Sequence, residues 1–188
     1  MRHAQTLNET QFRKVLHYCR TRRHANRDTA IFMVSFFAGL RAKEIAALKL
    51  GDVFDEEGRV REQFTLETHQ TKGEQRRSVF INKRLAKALF DYGLDKNLSN
   101  LDWPLFESQK GGHFSPNTMC QLFLDILKNC GFKDASSHSG RRTYITRLAN
   151  KGVGVRLLAA LAGHSHISTT QRYIDVNADQ MKEAVELL

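Results

Sequence analysis

The amino-acid sequence predicts a mainly α-helical domain with one small antiparallel β-sheet, an α+β fold. Three observations predict it. Apolar residues recur at helical spacing through most of the 188 residues, strand-like runs are confined to the stretch between Val53 and Ile81, and no internal repeat or Pro/Gly-rich linker interrupts the chain. An apolar share of 41% is ordinary for a globular protein of this length, so residues 1–188 are read as one domain with its own core.

The first helix is expected in "NETQFRKVLHYCRTRR", where Phe12, Val15, Leu16 and Cys19 fall on one face and Asn8 with Gln11 offers a capping-box start. "DTAIFMVSFFAGL" is apolar nearly all round, which suits a helix in the middle of a core, and Gly39 is placed to end it. "AKEIAALKL" restarts a helix and leaves Arg41 at the junction. "VREQFTLE" and "RRSVFI" read as two strands joined by the polar "THQTKGEQ", with Lys72 near the hairpin tip. Helices return in "NKRLAKALFDYGL", where Asn82 can cap, and in "SPNTMCQLFLDILKNCG", where Ser115 caps, Pro116 takes the first helical position and Gly131 closes the end. From "SSHSGRRTYITRLANKG" onward, several short helices are expected, broken at Gly152, Gly163 and about Asn177.

Charge narrows the class of partner. Twenty-nine Lys and Arg against twenty Asp and Glu leave a formal charge of +9, which favours a partner rich in phosphate or anionic lipid. No apolar run reaches the roughly 18 residues of a membrane span, and "MRHAQTLNETQF" lacks the apolar segment of a secretory signal, so a cytoplasmic protein without a membrane partner is expected. Cys19, Cys120 and Cys130 are odd in number and lack C-x-x-C spacing, which favours free thiols.

Six residues with cationic or titratable side chains stand near element boundaries: Arg41, Lys72, His138, Arg141, His164 and Tyr173. His138 and Arg141, three apart in a predicted helix, share a face with Cβ atoms roughly 5–6 Å apart, a geometry for gripping one small anion. A guanidinium presents a planar fork of donors that matches two phosphate oxygens. The set lacks a neighbouring carboxylate pair, which argues against magnesium and leaves the anion to protein cations; no cofactor is implied. Each residue alone has a plainer reading. "GLRAKEIAAL" resembles half of a helix-turn-helix, Lys72 suits a solvated turn, and His138 and Arg141 suit a helix start and a surface cation beside Arg142. His164 with His166 forms H-x-H, but no third ligand at zinc spacing accompanies it, and Tyr173 fits an amphipathic core position.

Taken together and in order, "AGLRAKEIAALKLGDV", "QTKGEQRRSVFI", "HSGRRTYITRLA" and "LAALAGHSHISTTQRY" resemble the catalytic domain of the tyrosine recombinase (phage integrase) family over nearly the whole chain. The resemblance implies a recombinase catalytic-domain fold and a site-specific recombinase that cleaves and rejoins double-stranded DNA without ATP. On it, Tyr173 is the nucleophile that forms a 3′-phosphotyrosyl bond and releases a 5′-hydroxyl. Arg41 and Arg141 clamp the non-bridging oxygens, and Lys72 protonates the leaving 5′-oxygen. His138 transfers a proton with the tyrosine, and His164 donates a hydrogen bond to the phosphate. The chemistry is reasonable because a phenol in water titrates near 10, so only about a thousandth is ionised at pH 7, and gathered cations offset that deficit while stabilising the charged transition state.

Two positions depart from the family pattern: Gly140 stands where many relatives have leucine, and Arg142 where many have histidine. The N-terminal core-binding domain common in the family is expected to be absent, as in short fimbrial-type invertases or an isolated catalytic half, so that site choice calls on an accessory DNA-binding partner. "NADQMKEAVELL" reads as an amphipathic helix with Met181, Ala184, Val185 and Leu188 on one side, which in the family packs on a neighbouring protomer in a tetramer, or else docks within its own chain. The alternatives are a non-catalytic DNA-binding regulator that kept the fold and a metal-dependent nuclease.

Overall fold

The computed structural model describes residues 4–71, 76–174, 181–182 and 185–186. Nine α-helices and two strands follow one another among these residues: α1 Glu9–Arg20, α2 Ala25–Phe37, α3 Ala42–Ala46, α4 Leu50–Val53, β1 Gln63–Leu66, β2 Arg77–Phe80, α5 Lys83–Gly93, α6 Pro116–Asn129, α7 Ser139–Ala149, α8 Val155–Ala162 and α9 Ile167–Gln171. They fall into two compact units, residues 1–144 and 145–188. The predicted fold class, mainly helical with a small antiparallel sheet, is the observed one.

In the first unit α2 is the central element. Its residues from Ala30 to Phe36 are all buried, so it meets protein on every side and packs against α1, α3 and α5. Aromatic rings lock these helices together: Phe12 of α1 lies 4.7 Å from Phe36, and Phe32 lies 4.7 Å from Phe123 of α6. Each such buried ring contributes about 1.5–3 kcal/mol of transfer free energy. The ends of the helices are set locally. Asn8 and Gln11 form the reciprocal capping box of α1, with the Gln11 amide donating to Asn8 Oδ1 at 2.9 Å and the Asn8 amide to Gln11 Oε1 at 3.0 Å. Asn82 and Ser115 cap α5 and α6 through their side-chain oxygens, and Pro116 occupies the first turn of α6.

The sheet is a single antiparallel pair, with Phe64 opposite Val79 and Leu66 opposite Arg77. These four residues form its buried face. Both strands are shorter than the sequence pattern predicts, and a 3₁₀ turn at Thr68–Gln70 follows β1. Gln70, which is buried, anchors that turn: its Nε2 donates to the Ala47 carbonyl at 3.1 Å and to Asp52 Oδ2 at 2.9 Å. Lys72, predicted at the hairpin tip, lies outside the described residues.

Only the first five residues of "AKEIAALKL" form a helix, α3, and the chain restarts at Leu50 in α4, because Ala47 adopts a capping conformation and the Lys49 and Leu50 backbone turns to pair with the segment around Trp103 and Pro104. α7 begins at Ser139, so His138 is not inside the helix as the sequence pattern predicts. Its carbonyl accepts the first helical bond, from the Arg142 amide at 2.9 Å, while the Ser139 hydroxyl ties back the Ser136 amide at 2.9 Å. Gly140 explains its own departure from leucine. A Cβ there would collide with the Ser35 side chain and come within 3.0 Å of Phe36, so α7 and α2 approach too closely for any side chain at this position.

In the second unit α8 ends at Gly163, which takes a left-handed conformation (φ 63°), and α9 packs against α8. Gly152, also at positive φ, separates α7 from α8 as predicted. α9 closes at Gln171 and leaves Tyr173 in a turn, earlier than the break predicted near Asn177, which lies outside the described residues. In the C-terminal segment Met181 and Val185 are exposed; Ala184 and Leu188 lie outside the described residues.

The close approach at Gly140 gives the first test. Gly140→Ala is expected to destabilise the protein by about 1–3 kcal/mol, the usual cost of overpacking, read as a lower urea midpoint at unchanged slope.

Candidate active site

In the first unit the site is built around a carboxylate. Gly39, at φ +64°, turns the chain out of α2, and Arg41 then caps α3 in extended conformation. Three residues on, Glu44 points back: its Oε2 accepts the Arg41 amide at 2.8 Å and its Oε1 accepts Arg41 Nη1 at 2.6 Å. The same Oε2 accepts Nη2 of Arg77, from the buried face of β2, at 2.8 Å. Glu44 is fully buried and Arg77 nearly so.

Arg141, also buried, joins this group from α7. Its Nη1 donates to the Gly39 carbonyl at 2.7 Å. The ring of Tyr144, one turn further on α7, covers Gly39 so tightly that a Cβ there would come within 2.5 Å of its Cδ1. Gly39 is therefore required twice, for its backbone angle and for the space its missing side chain leaves.

The electrostatics follow from this packing. Burial works to raise the Glu44 pKa, yet Arg77, the Arg41 amide, the Arg41 guanidinium and Arg141 together hold it below the ordinary carboxylate value. Burial pulls the Arg77 guanidinium below its ordinary value against the attraction of Glu44. Burial raises the Tyr144 phenol, opposed by Arg77 and Arg141. Three guanidinium groups and one carboxylate thus gather in a largely desolvated place. Guanidinium groups held close together suit an anion with several acceptor oxygens.

Of the predicted residues in this unit, Arg41 and Arg141 are brought together at the Gly39–Glu44 turn. His138 is exposed and Arg141 buried, and His138 stands just before the first residue of α7 rather than inside the helix. Glu44 and Arg77 were not singled out by the sequence reading. Both carried a signal: Glu44 stands at the capping-box position of a helix that begins after Arg41, and Arg77 falls on the inward phase of a strand, where a cation requires a buried partner.

In the second unit His164 and Tyr173 are brought together. Their rings stack with centroids 5.8 Å apart and planes 19° from parallel. The His164 amide donates to the Ala159 carbonyl at 2.9 Å across the left-handed Gly163, which fixes where the imidazole leaves the chain. Its Nδ1 is 2.9 Å from Oγ1 of Thr170, a fully buried residue of α9. The Tyr173 amide is held by the Thr170 carbonyl at 2.9 Å. His166 is exposed, and no group of three or more potential metal-ligating side chains gathers among the described residues.

A cavity of about 760 Å³ lies elsewhere in the first unit, at the N-terminal end of α2, lined in part by Arg22, Arg23, Arg27 and Lys110. Among the described residues, none of the predicted site residues lines it. Its charge is partly matched, since Arg22 pairs with Asp28 and Asp125 and Arg27 with Asp28.

Residues 5–180 match the model of the phage integrase family. This chain belongs to the phage integrase family. Among curated members, the tyrosine recombinase XerA of Pyrococcus furiosus is 29% identical over 162 residues, which cover 85% of this chain and 54% of that protein. The chain thus spans about half the length of such relatives. Among solved structures, the catalytic domain of bacteriophage HP1 integrase superposes with a TM-score of 0.69 at 21% identity, covering 98% of this chain and 95% of that one. The Tn1549 transposon integrase in complex with circular intermediate DNA superposes with a TM-score of 0.74 at 20% identity, covering 97% and 66%. At these identities the two structures establish the integrase catalytic fold. Among the described residues no helix is long and apolar enough to cross a membrane.

Glu44 supplies a test with a definite sign. Its folded-state pKa lies below the ordinary 4.5, so its stabilising contribution is complete above that value and is lost as the pH falls through the folded one. Denaturation midpoints of the unmodified protein are expected to drop below about pH 4.5, whereas Glu44→Gln, destabilised by about 3–5 kcal/mol at pH 7 through loss of the buried negative charge beside its arginines, loses that part of the acid dependence.

Proposed function

We propose that this chain is the catalytic part of a site-specific DNA recombinase that breaks and rejoins a DNA backbone through Tyr173. The observation that carries this reading is the gathering of Arg41 and Arg141 at the Gly39–Glu44 turn, a preorganised seat for one phosphodiester in a chain of the phage integrase family. The stack of Tyr173 on His164 supports it by giving a phenol and a hydrogen-bonding ring one common frame.

In the proposed step the Tyr173 hydroxyl oxygen attacks phosphorus and the bond from phosphorus to the 5′-oxygen breaks. The product is a 3′-phosphotyrosyl ester and a free 5′-hydroxyl. The phenolic proton passes to His138, Lys72 protonates the departing 5′-oxygen, Arg41 and Arg141 bind the non-bridging oxygens, and His164 donates a hydrogen bond to one of them. Attack on the ester by the 5′-hydroxyl of another strand reverses the chemistry and exchanges strands. No ATP is consumed, because the phosphate remains esterified throughout.

The remaining assignments belong to the same proposal. Double-stranded DNA is the substrate, in the cytoplasm, and the formal charge of +9 makes its binding strongly salt-dependent. Strand exchange between two duplexes needs four copies on DNA, for which the C-terminal segment with exposed Met181 and Val185 offers a contact, and an accessory DNA-binding protein assists site choice.

The test is covalent capture. Incubated with a pool of nicked duplexes and then denatured, the chain is expected to leave a protein–DNA adduct insensitive to chelators. Tyr173→Phe abolishes it, and Arg141→Lys slows it by about 10²–10³-fold. Sequence-selective DNA binding with no adduct from the unmodified protein would overturn the recombinase reading in favour of a non-catalytic regulator.

A further inference from the structure

We infer that Thr170 is a positioning residue: its hydroxyl donates to His164 Nδ1 and so fixes the imidazole as the tautomer that carries its proton on Nε2. This deepens the proposed function and rests on the role given there to His164.

The argument starts from what a buried hydroxyl requires. Thr170 is fully buried, and its Oγ1 lies 2.9 Å from His164 Nδ1. A threonine hydroxyl has one proton to donate and two sites that accept. Among the described residues, His164 Nδ1 is the one hydrogen-bond partner of Oγ1. Were the imidazole the donor, the threonine proton would be buried without an acceptor; with the threonine as donor, both groups are satisfied. The neutral imidazole then accepts at Nδ1, and its own proton sits on Nε2.

This tautomer suits one of two tasks. With Nε2–H outward the ring donates to a phosphate oxygen, whereas the other tautomer would present a lone pair to it and weaken the contact. The rest of the local structure fixes direction but not protonation. Gly163 and the bond from the His164 amide to Ala159 place the Cα, and the Tyr173 ring, 19° from parallel, sets the plane. Neither distinguishes Nδ1 from Nδ1–H. Thr170 does, and because its carbonyl also holds the Tyr173 amide at 2.9 Å, one buried residue governs both the ring that donates and the backbone of the residue that attacks.

The experiment uses the full chain labelled with ¹⁵N and two variants, Thr170→Val, which keeps the shape and removes the hydroxyl, and Thr170→Ser, which keeps the hydroxyl. Long-range proton–nitrogen correlation spectra are expected to show His164 with a bare Nδ1 and a protonated Nε2 in the unmodified protein and in Thr170→Ser. In Thr170→Val the two tautomers mix. Adduct formation on nicked duplex, followed in a single turnover, is expected to slow by about 10–100-fold in Thr170→Val, as for other outer-shell partners of a functional histidine, and to recover in Thr170→Ser. A proton on Nδ1 in the unmodified protein overturns the inference, even if Thr170→Val fails to fold. So does a folded Thr170→Val with unchanged tautomer and rate. If the unmodified protein forms no adduct while its Nε2 is protonated, the recombinase reading falls and the tautomer assignment stands.

Discussion

The geometry of the first unit depends on the burial of one carboxylate. Glu44 is shut away from water, a placement that is tolerable because both carboxylate oxygens accept hydrogen bonds from cations or an amide. That requirement reaches in three directions along the chain. It fixes Arg41, three residues upstream; it recruits Arg77 from β2; and it draws on Arg141 from α7, nearly a hundred residues away. A guanidinium already tethered to a carboxylate or a carbonyl loses less further freedom when it meets an anion, which is the value of an arginine that is already paired.

The same carboxylate connects the hairpin to the arginines. Arg77 enters the cluster from β2, while Gln70 pins the turn after β1 to the α3–α4 connection, and Lys43 Nζ reaches the Thr71 carbonyl at 3.4 Å. The chain on either side of residues 72–75 is thus tied to the elements that carry Arg41. The role proposed for Lys72 rests on its place in the sequence between these two anchored stretches.

Much of this was legible in the sequence because it rests on local rules. The capping box at Asn8 and Gln11, the Ser115–Pro116 start of α6, and the glycines that close α2, α6 and α8 are chemistry between near neighbours, and a pattern of residues states it directly. The continuous apolar run of α2 announced a helix buried on all sides for the same reason. What escaped was set by contacts distant in sequence. The break between α3 and α4 follows from pairing with the segment near Pro104, and the late start of α7 follows from the Ser136–Ser139 turn, which a helical count through His138 does not anticipate. Glu44 and Arg77 escaped because a charged residue on a short helix or strand reads as solvent-facing until its partners are known. The inward phase of Arg77 beside Val79 was the sign that it was not.

The two units solve the problem of positioning in different ways. In the first, arginines are held by a buried carboxylate inside a core built on Phe12, Phe32, Phe36 and Phe123, so their geometry is secured by the same contacts that secure the fold. In the second, α8 and α9 are short, and His164 and Tyr173 are placed by local devices: a left-handed glycine, a threonine that serves two neighbours, and one ring stacked on another. Losing one local device costs about 1 kcal/mol, whereas removing one partner of a buried ion pair costs about 3–5 kcal/mol. The arginine geometry is therefore the harder of the two to disturb without disturbing the fold. A histidine and a tyrosine held by small increments can be reset one contact at a time, and a single hydroxyl is then enough to decide which face of an imidazole carries its proton.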